Sequence, residues 1–341
     1  MADQTHTRVC IYGAGSIGTY VGGRLQAAGV PVTLIGRPKI AGQIGRHGLR
    51  LTNWQGSDVR LDASDIRYVT NDAVAAEADL IIVAVKSAAT GSVGKALAGR
   101  IAPTTVVLSL QNGIGNARTL ADYLPDNPVL TGMISFNVLQ RGEGHFHAGT
   151  EGELMCESHP VLEALQPFFT KAELPLELRD DMHAVQWAKL LMNLNNPINA
   201  LSGIPLLDEL SQRNYRRCLA LLIAETLSVL KANGIKPAKL MPIPMSLLPW
   251  VLRSPDWLFK RLASQILAID PVARSSMWED LDVGRVTEID WLNGEVVRQA
   301  EKQGVAVPAN RRIVALIKQA EQGGRRNWQG RELLEALQEG E

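Results

Sequence analysis

A lysine and two asparagines, Lys189, Asn193 and Asn196, interrupt the apolar run Trp187-Ala-Lys-Leu-Leu-Met-Asn-Leu-Asn-Asn-Pro197. At about 100° per residue all three fall on one face of a helix, with Lys189 and Asn196 only about 20° apart. An ammonium beside two amides suits a small molecule that carries a carboxylate or a carbonyl. A solvated stripe on an amphipathic helix would show the same spacing. Hydroxyls and carboxylates recur in Ser275-Ser276-Met-Trp-Glu-Asp280 and again in Thr287-Glu288-Ile-Asp290, alternating with apolar residues. Taken alone, that segment reads as the exposed face of a helix.

A second chemistry lies near the N-terminus. Arg8-Val-Cys-Ile-Tyr12 reads as a buried strand, Thr19 to Gly29 as a helix, and Gly13-Ala14-Gly15-Ser16-Ile17-Gly18 joins them. Between a strand and a helix, in a unit of about 30 residues, this pattern is a dinucleotide fingerprint. Gly13 permits the tight turn, Gly15 lets backbone approach a pyrophosphate, and Gly18 allows close packing of helix on strand. The helix N-terminus favours the anion. The next strand, Pro31 to Ile35, ends in Gly36-Arg37 with no acidic residue nearby. An acid there would bond a ribose hydroxyl, whereas an arginine suits a 2′-phosphate, so NADP(H) is expected over NAD(H). Lys86, after the apolar run Leu80 to Val85, is a second candidate cation for the cofactor. Gln111-Asn112-Gly113 ends another apolar strand, where open α/β sheets bind ligands, so Asn112 is placed to bond cofactor or substrate.

Composition narrows the class. The 341 residues suit two domains, and 46% hydrophobic with 21% charged residues is the balance of a globular chain. Zero formal net charge argues against a general nucleic-acid or anionic-membrane binder. Cys10, Cys156 and Cys218 are scattered, which suggests neither a disulfide framework nor a zinc site and fits a reducing cytoplasm. The polar N-terminus leaves no room for a signal peptide, and the apolar stretch Leu240–Leu252 is too short to span a bilayer. His145 and His147 could share one face of a strand, but no third metal ligand is near, so a turn or strand-edge role is expected and no metal.

Up to about Leu178 short β-rich runs alternate with helical or loop segments. Strands are expected at 8–12, 31–35, 80–85 and 105–109, with weaker ones at 129–138, 144–147, 152–156 and 175–178. Beyond Asp180 the signal is helical, at 181–201, 206–233, 275–303, 309–321 and 331–338. The expected fold class is therefore α/β: a Rossmann-type domain over 1–180, mostly parallel with helices on both faces, followed by an all-helical domain over 181–341. Lys189 falls on the first helix of the second domain, beside the expected interdomain cleft.

Taken together, the glycine turn, Gln111-Asn112-Gly113, the Lys189/Asn193 helix and the Ser275-Ser276-Met277 and Thr287-Glu288-Ile289-Asp290 pair resemble the ketopantoate reductase (2-dehydropantoate 2-reductase) family over nearly the whole chain. The resemblance implies NADPH-dependent reduction of ketopantoate to pantoate, on the route to pantothenate and coenzyme A. It implies that Lys189 is the catalytic lysine, Glu288 the active-site glutamate, Asn112 the amide at the nicotinamide end, and Asn193 and Ser276 substrate-binding residues. The partner is then a small 2-oxo acid, and a homodimer is left open. A related 2-oxo acid reductase, or an NADP(H)-binding sensor that has lost the chemistry, would share the glycine turn.

The chain departs from the family in two places. Its members often carry the second helix asparagine eight residues after the lysine, where this chain has Pro197 and Asn196 precedes it. An insert around Met241–Pro271, rich in Pro, Leu and Trp, could alter substrate preference. There is also a geometric demand. Ser276 and Glu288 would lie about 18 Å apart on a straight helix, too far for one small substrate to touch both. A break is therefore expected between about 276 and 286, with Gly284 as its natural place.

Overall fold

The computed structural model describes residues 6–262 and 272–339, so residues 263–271 of the insert lie outside the described residues. The chain divides into two compact units, Met1–Met182 and His183–Glu341.

The first unit contains strands β1 (Val9–Tyr12), β2 (Val32–Ile35), β3 (Leu49–Asn53), β4 (Asp58–Leu61), β5 (Arg67–Val69), β6 (Leu80–Val83), β7 (Val106–Ser109), β8 (Val129–Ile134), β9 (Val138–Gly142), β10 (His145–Ala148), β11 (Leu154–Glu157) and β12 (Leu176–Arg179). Its helices are α1 (Ser16–Ala28), α2 (Pro38–His47), α3 (Thr90–Leu97), α4 (Asn116–Tyr123) and α5 (Pro160–Lys171). The main sheet runs β12-β11-β8-β7-β6-β1-β2-β5, and all its pairs are parallel except β11 with β8. Alternate side chains enter two separate cores, as a strand's two-residue period requires. Val9, Ile11, Leu80, Ile82 and Leu108 join one core, while Cys10, Ile81, Val83 and Val107 join the other. Both faces of these strands are thus covered, which explains their near-continuous apolar sequence.

A second sheet, ordered β4-β3-β10-β9, was not expected from the sequence. Its strands are short, and charged residues alternate with the apolar ones, as in Leu49-Arg50-Leu51. Pairing β3 with β10 joins segments about 95 residues apart, Arg50 opposite His145, and no local signal announces that. Leu49, Leu51 and Phe146 share the core that buries α1. A Cβ on Gly23 of α1 would lie 2.5 Å from Leu49, so this glycine lets the helix approach the sheet. The expected 129–138 strand is split into β8 and the start of β9, which belong to different sheets.

The second unit is helical. It comprises most of α6 (Met182–Asn193), then α7 (Asn196–Ser202), α8 (Leu206–Ser211), α9 (Arg213–Ala232), α10 (Leu248–Arg253), α11 (Asp256–Leu262), α12 (Ser276–Asp282), α13 (Asn293–Gln303), α14 (Pro308–Glu321) and α15 (Gly330–Gln338). Three expected helices are each broken. The 206–233 helix divides at Gln212, whose extended backbone caps α9. The 181–201 helix divides at Leu194–Asn195, and the 275–303 helix divides between α12 and α13. None of the helices among the described residues is long and apolar enough to cross a membrane.

Candidate functional site

In the first unit the glycine turn is built as its spacing demands. Gly13 sits at φ +103°, and a Cβ there would meet Val85 N at 2.7 Å and Val85 Cγ1 at 2.6 Å. A Cβ on Gly18 would meet the Gly13 carbonyl oxygen at 2.4 Å and Ile11 Cγ2 at 2.9 Å. Gly15 differs, because a Cβ there would meet nothing within 4 Å. Packing therefore requires two of the glycines, while the third keeps the turn open at the start of α1. That helix has no side-chain cap and no acidic residue in its first turn. Its uncapped amides and the positive end of its dipole suit a phosphate group. Gly13→Ala should destabilise the chain by about 1–3 kcal/mol through strain at positive φ. Thermal unfolding would read this directly, and dinucleotide affinity should fall with it.

Arg37 is exposed beyond the end of β2, at the N-cap of α2. Beside it, the Tyr68 hydroxyl donates to the Ala14 carbonyl at 2.9 Å, tying β5 to the glycine turn. Gly36 permits this, since a Cβ there would lie 2.0 Å from the Tyr68 hydroxyl. Lys86 and Asn112 are also exposed, beyond the carboxyl ends of β6 and β7.

What holds the Asn112 loop is a buried polar network that the motif alone did not reveal. Gln111 Nε2 donates to the Val85 carbonyl and to Thr90 Oγ1, and Ser109 Oγ donates to Gln111 Oε1. Thr90 Oγ1 donates to Asn116 Oδ1, and Asn116 Nδ2 donates to Ser87 Oγ and the Asn112 carbonyl. Ser87 Oγ also donates to that carbonyl, at 3.0 Å. Buried polar groups that satisfy one another in this way fix a loop's geometry. The signal available in the sequence was polar residues at the ends of two apolar strands.

In the second unit, α6 presents Gln186, Lys189 and Asn193 as a half-buried stripe, while Trp187, Ala188, Leu190, Leu191 and Leu194 are buried around it. Burial pushes the Lys189 ammonium down from 10.5 to about 8. The expected opposing pull of Glu288 is not part of that shift, whose cause is desolvation. Helical phase carries from Lys189 to Asn193 and stops there. The chain tightens at Leu194–Asn195 and restarts at Asn196 and Pro197, so the expected continuous face from Lys189 to Asn196 is corrected. Proline at the start of α7 is compatible with a helix beginning there, and not with one passing through.

Ser276 and Glu288 are separated by the expected break. Helix α12 ends at Asp282, and Gly284 takes φ +67°. Ser276 is exposed at the first position of α12. Its neighbour Ser275 is buried and caps that helix, accepting from Trp278 N at 3.1 Å. Glu288 is half-buried, and the residues flanking it are anchored. Thr287 N and Oγ1 both donate to Glu321 Oε1 at 2.8 Å, and Lys318 Nζ bonds Asp290 Oδ2 at 2.6 Å. Glu321 and Lys318 on α14 therefore fix the Glu288 loop, a role sequence reasoning missed. His145 and His147 both bond Thr52 Oγ1, at 2.8 and 2.7 Å, across β10 and β3.

The first unit matches the family described as Ketopantoate reductase PanE/ApbA over residues 9–160, and the second matches that family's C-terminal part over residues 181–321. The chain belongs to the ketopantoate reductase family. A PanE/ApbA family ketopantoate reductase from Ralstonia eutropha JMP134, known as a crystal structure, is 31% identical. That alignment covers 93% of this chain and 99% of the other, with a TM-score of 0.80. The 2-dehydropantoate 2-reductase of Halobacterium salinarum is 29% identical, over 93% of this chain and all of its own length. The fold extends beyond ketopantoate reductases. A D-mandelate dehydrogenase solved with NADH and anilino(oxo)acetate has a TM-score of 0.76 at 22% identity, covering 93% of this chain and 99% of its own.

Proposed function

We propose that this member of the ketopantoate reductase family reduces ketopantoate to pantoate with NADPH. The observation that carries the reading is Lys189, a half-buried lysine whose ammonium is pushed down to about 8 on the same helix face as Asn193. A lysine so tuned remains mostly charged at neutral pH and gives up its proton readily.

The residues of the first unit fit the cofactor. Gly13, Ala14, Gly15, Ser16, Ile17 and Gly18 would hold the pyrophosphate, and the open space at Gly15 supports this. Arg37 would pair with the 2′-phosphate, with Lys86 as a second cation, and Asn112 would bond the nicotinamide end or the substrate. When bound, NADPH supplies the hydride that adds to the ketone carbon of the 2-oxo acid. Lys189 then stabilises the negative charge gathering on the ketone oxygen and donates the proton that makes it a hydroxyl. Asn193, and Asn196 across the helix break, would hold the hydroxyl or carboxylate of the substrate as neutral amides that do not compete for the proton. Ser276 would contact the carboxylate from the start of α12. Glu288, on its anchored loop, would orient the substrate.

The test is loss of NADPH absorbance with ketopantoate, run beside NADH and a panel of other 2-oxo acids. Turnover of ketopantoate with NADPH above all other pairs is the expected result. A second reading, reduction of a different 2-oxo acid, rests on the insert. There, α10 and α11 expose Trp250 and Trp257. Preference for another oxo acid in the same panel would establish that reading, while dinucleotide binding without any turnover would overturn both.

A further inference from the structure

Glu209, on α8, is fully buried, and the chemistry above makes no use of it. Its Oε2 accepts from Asn199 Nδ2 at 2.8 Å and from Ser202 Oγ at 3.3 Å. Its Oε1 has no partner, although it is buried. The Asn195 side chain acts on the same carboxyl as a donor does, favouring its charged form, but burial outweighs that pull. A fully buried carboxylate with one oxygen left without a donor is costly in an interior, and taking up a proton relieves that cost. The network then reaches the proposed substrate residues. Asn199 Oδ1 accepts from Ser275 N at 2.8 Å, and Ser275 Oγ donates to the Asn196 carbonyl at 3.2 Å. Asn195 itself sits in the break that follows Asn193.

We infer that Glu209 is a positioning residue, a neutral carboxylic acid whose Oε2 accepts from Asn199 and Ser202. It thereby fixes Asn199, and through it holds α7 to the Ser275 cap that presents Ser276. Burial supports the neutral state, since it raises the Glu209 carboxyl from 4.5 to about 8. The titratable groups around it oppose nothing. On α9, Tyr215 and Cys218 are both held above their usual range by desolvation and stay neutral. Arg216 is committed to Asp256 and to the Leu210, Leu252 and Ser254 carbonyls. The positioning role rests on the function proposed above.

The experiment compares wild type with Glu209→Gln and Asn199→Ala, by melting across pH and by steady-state kinetics. The retained proton stabilises the fold fully below about 4.5, and that contribution is lost as pH rises towards about 8. Glutamine mimics the neutral acid, so Glu209→Gln should melt like wild type near pH 4.5, lack that downward slope and so melt higher than wild type by pH 8, and keep KM within about twofold. A lower melting point with an unchanged slope would show an anionic carboxylate and overturn the proposal. Asn199→Ala should raise KM for the 2-oxo acid roughly tenfold, with KM for NADPH unchanged. An unaltered 2-oxo acid KM would remove the positioning role. If Asn199→Ala does not melt cooperatively, Ser202→Ala replaces it, with a smaller rise in the same constant expected and the same overturning result. Wild type that turns over no 2-oxo acid would defeat the proposed function and the positioning role together. Active wild type with unaffected variants would defeat the positioning role alone.

Discussion

Lys189→Ala should lower kcat by roughly 10²–10⁴, the span usual for losing a group that transfers a proton in the transition state. Near-normal turnover would exclude Lys189 from the chemistry. The same lysine sets the pH dependence. Its ammonium is the active form for ketone reduction, so kcat should be level near neutral pH and fall as pH rises through about 8. Stability should move the other way. The folded chain holds this proton less tightly than the unfolded chain does, so unfolding takes up a proton between about 8 and 10.5. Over that window the Lys189 contribution to stability increases with pH. Lys189→Met, which removes the buried charge, should melt a few degrees higher than wild type at pH 7 while having lost its turnover. A lower melting point would show that the ammonium has a stabilising partner.

Arg37→Ala is expected to raise KM for NADPH roughly 10–100-fold, which corresponds to losing a hydrogen-bonded charge pair of about 1.5–3 kcal/mol. KM for NADH should change little, because that cofactor lacks the 2′-phosphate. The exposure of Arg37 at the start of α2 makes a fold-wide effect small, so melting should stay close to wild type. Equal losses for both cofactors would place Arg37 outside phosphate recognition. Unchanged kinetics with both would move the selectivity to Lys86 or elsewhere.

Features that depend on neighbours in the sequence were legible in it. The strand, glycine turn and helix from Val9 to Ala28 follow one another directly, and Gly18 answers to Gly13 and Ile11 only a few residues away, although Gly13 itself packs against Val85 from far along the chain. The register of Lys189 and Asn193 is local too, being one turn of α6. Even the break near Gly284 could be argued from the length of a helix set against the size of a small substrate. The alternation of the two cores was implicit in the unbroken apolar runs of β1, β6 and β7.

Only the tertiary structure decided what depends on distant partners. The small second sheet exists because β3 meets β10 and covers α1, and strands of four or five mixed polar and apolar residues carry little period of their own. The helix that carries Lys189 ends at Asn193, four residues short of Pro197, and Asn199 becomes buried between Glu209 and Ser275. Ser275, and not Ser276, turned inward, because the carbonyl of Asn196 and the side chain of Asn199 wait there. A single sequence carries propensities for each segment. The choice between a capped break and a continuous helix is made by hydrogen bonds to residues ten to eighty positions away, and these exist only once the chain has packed.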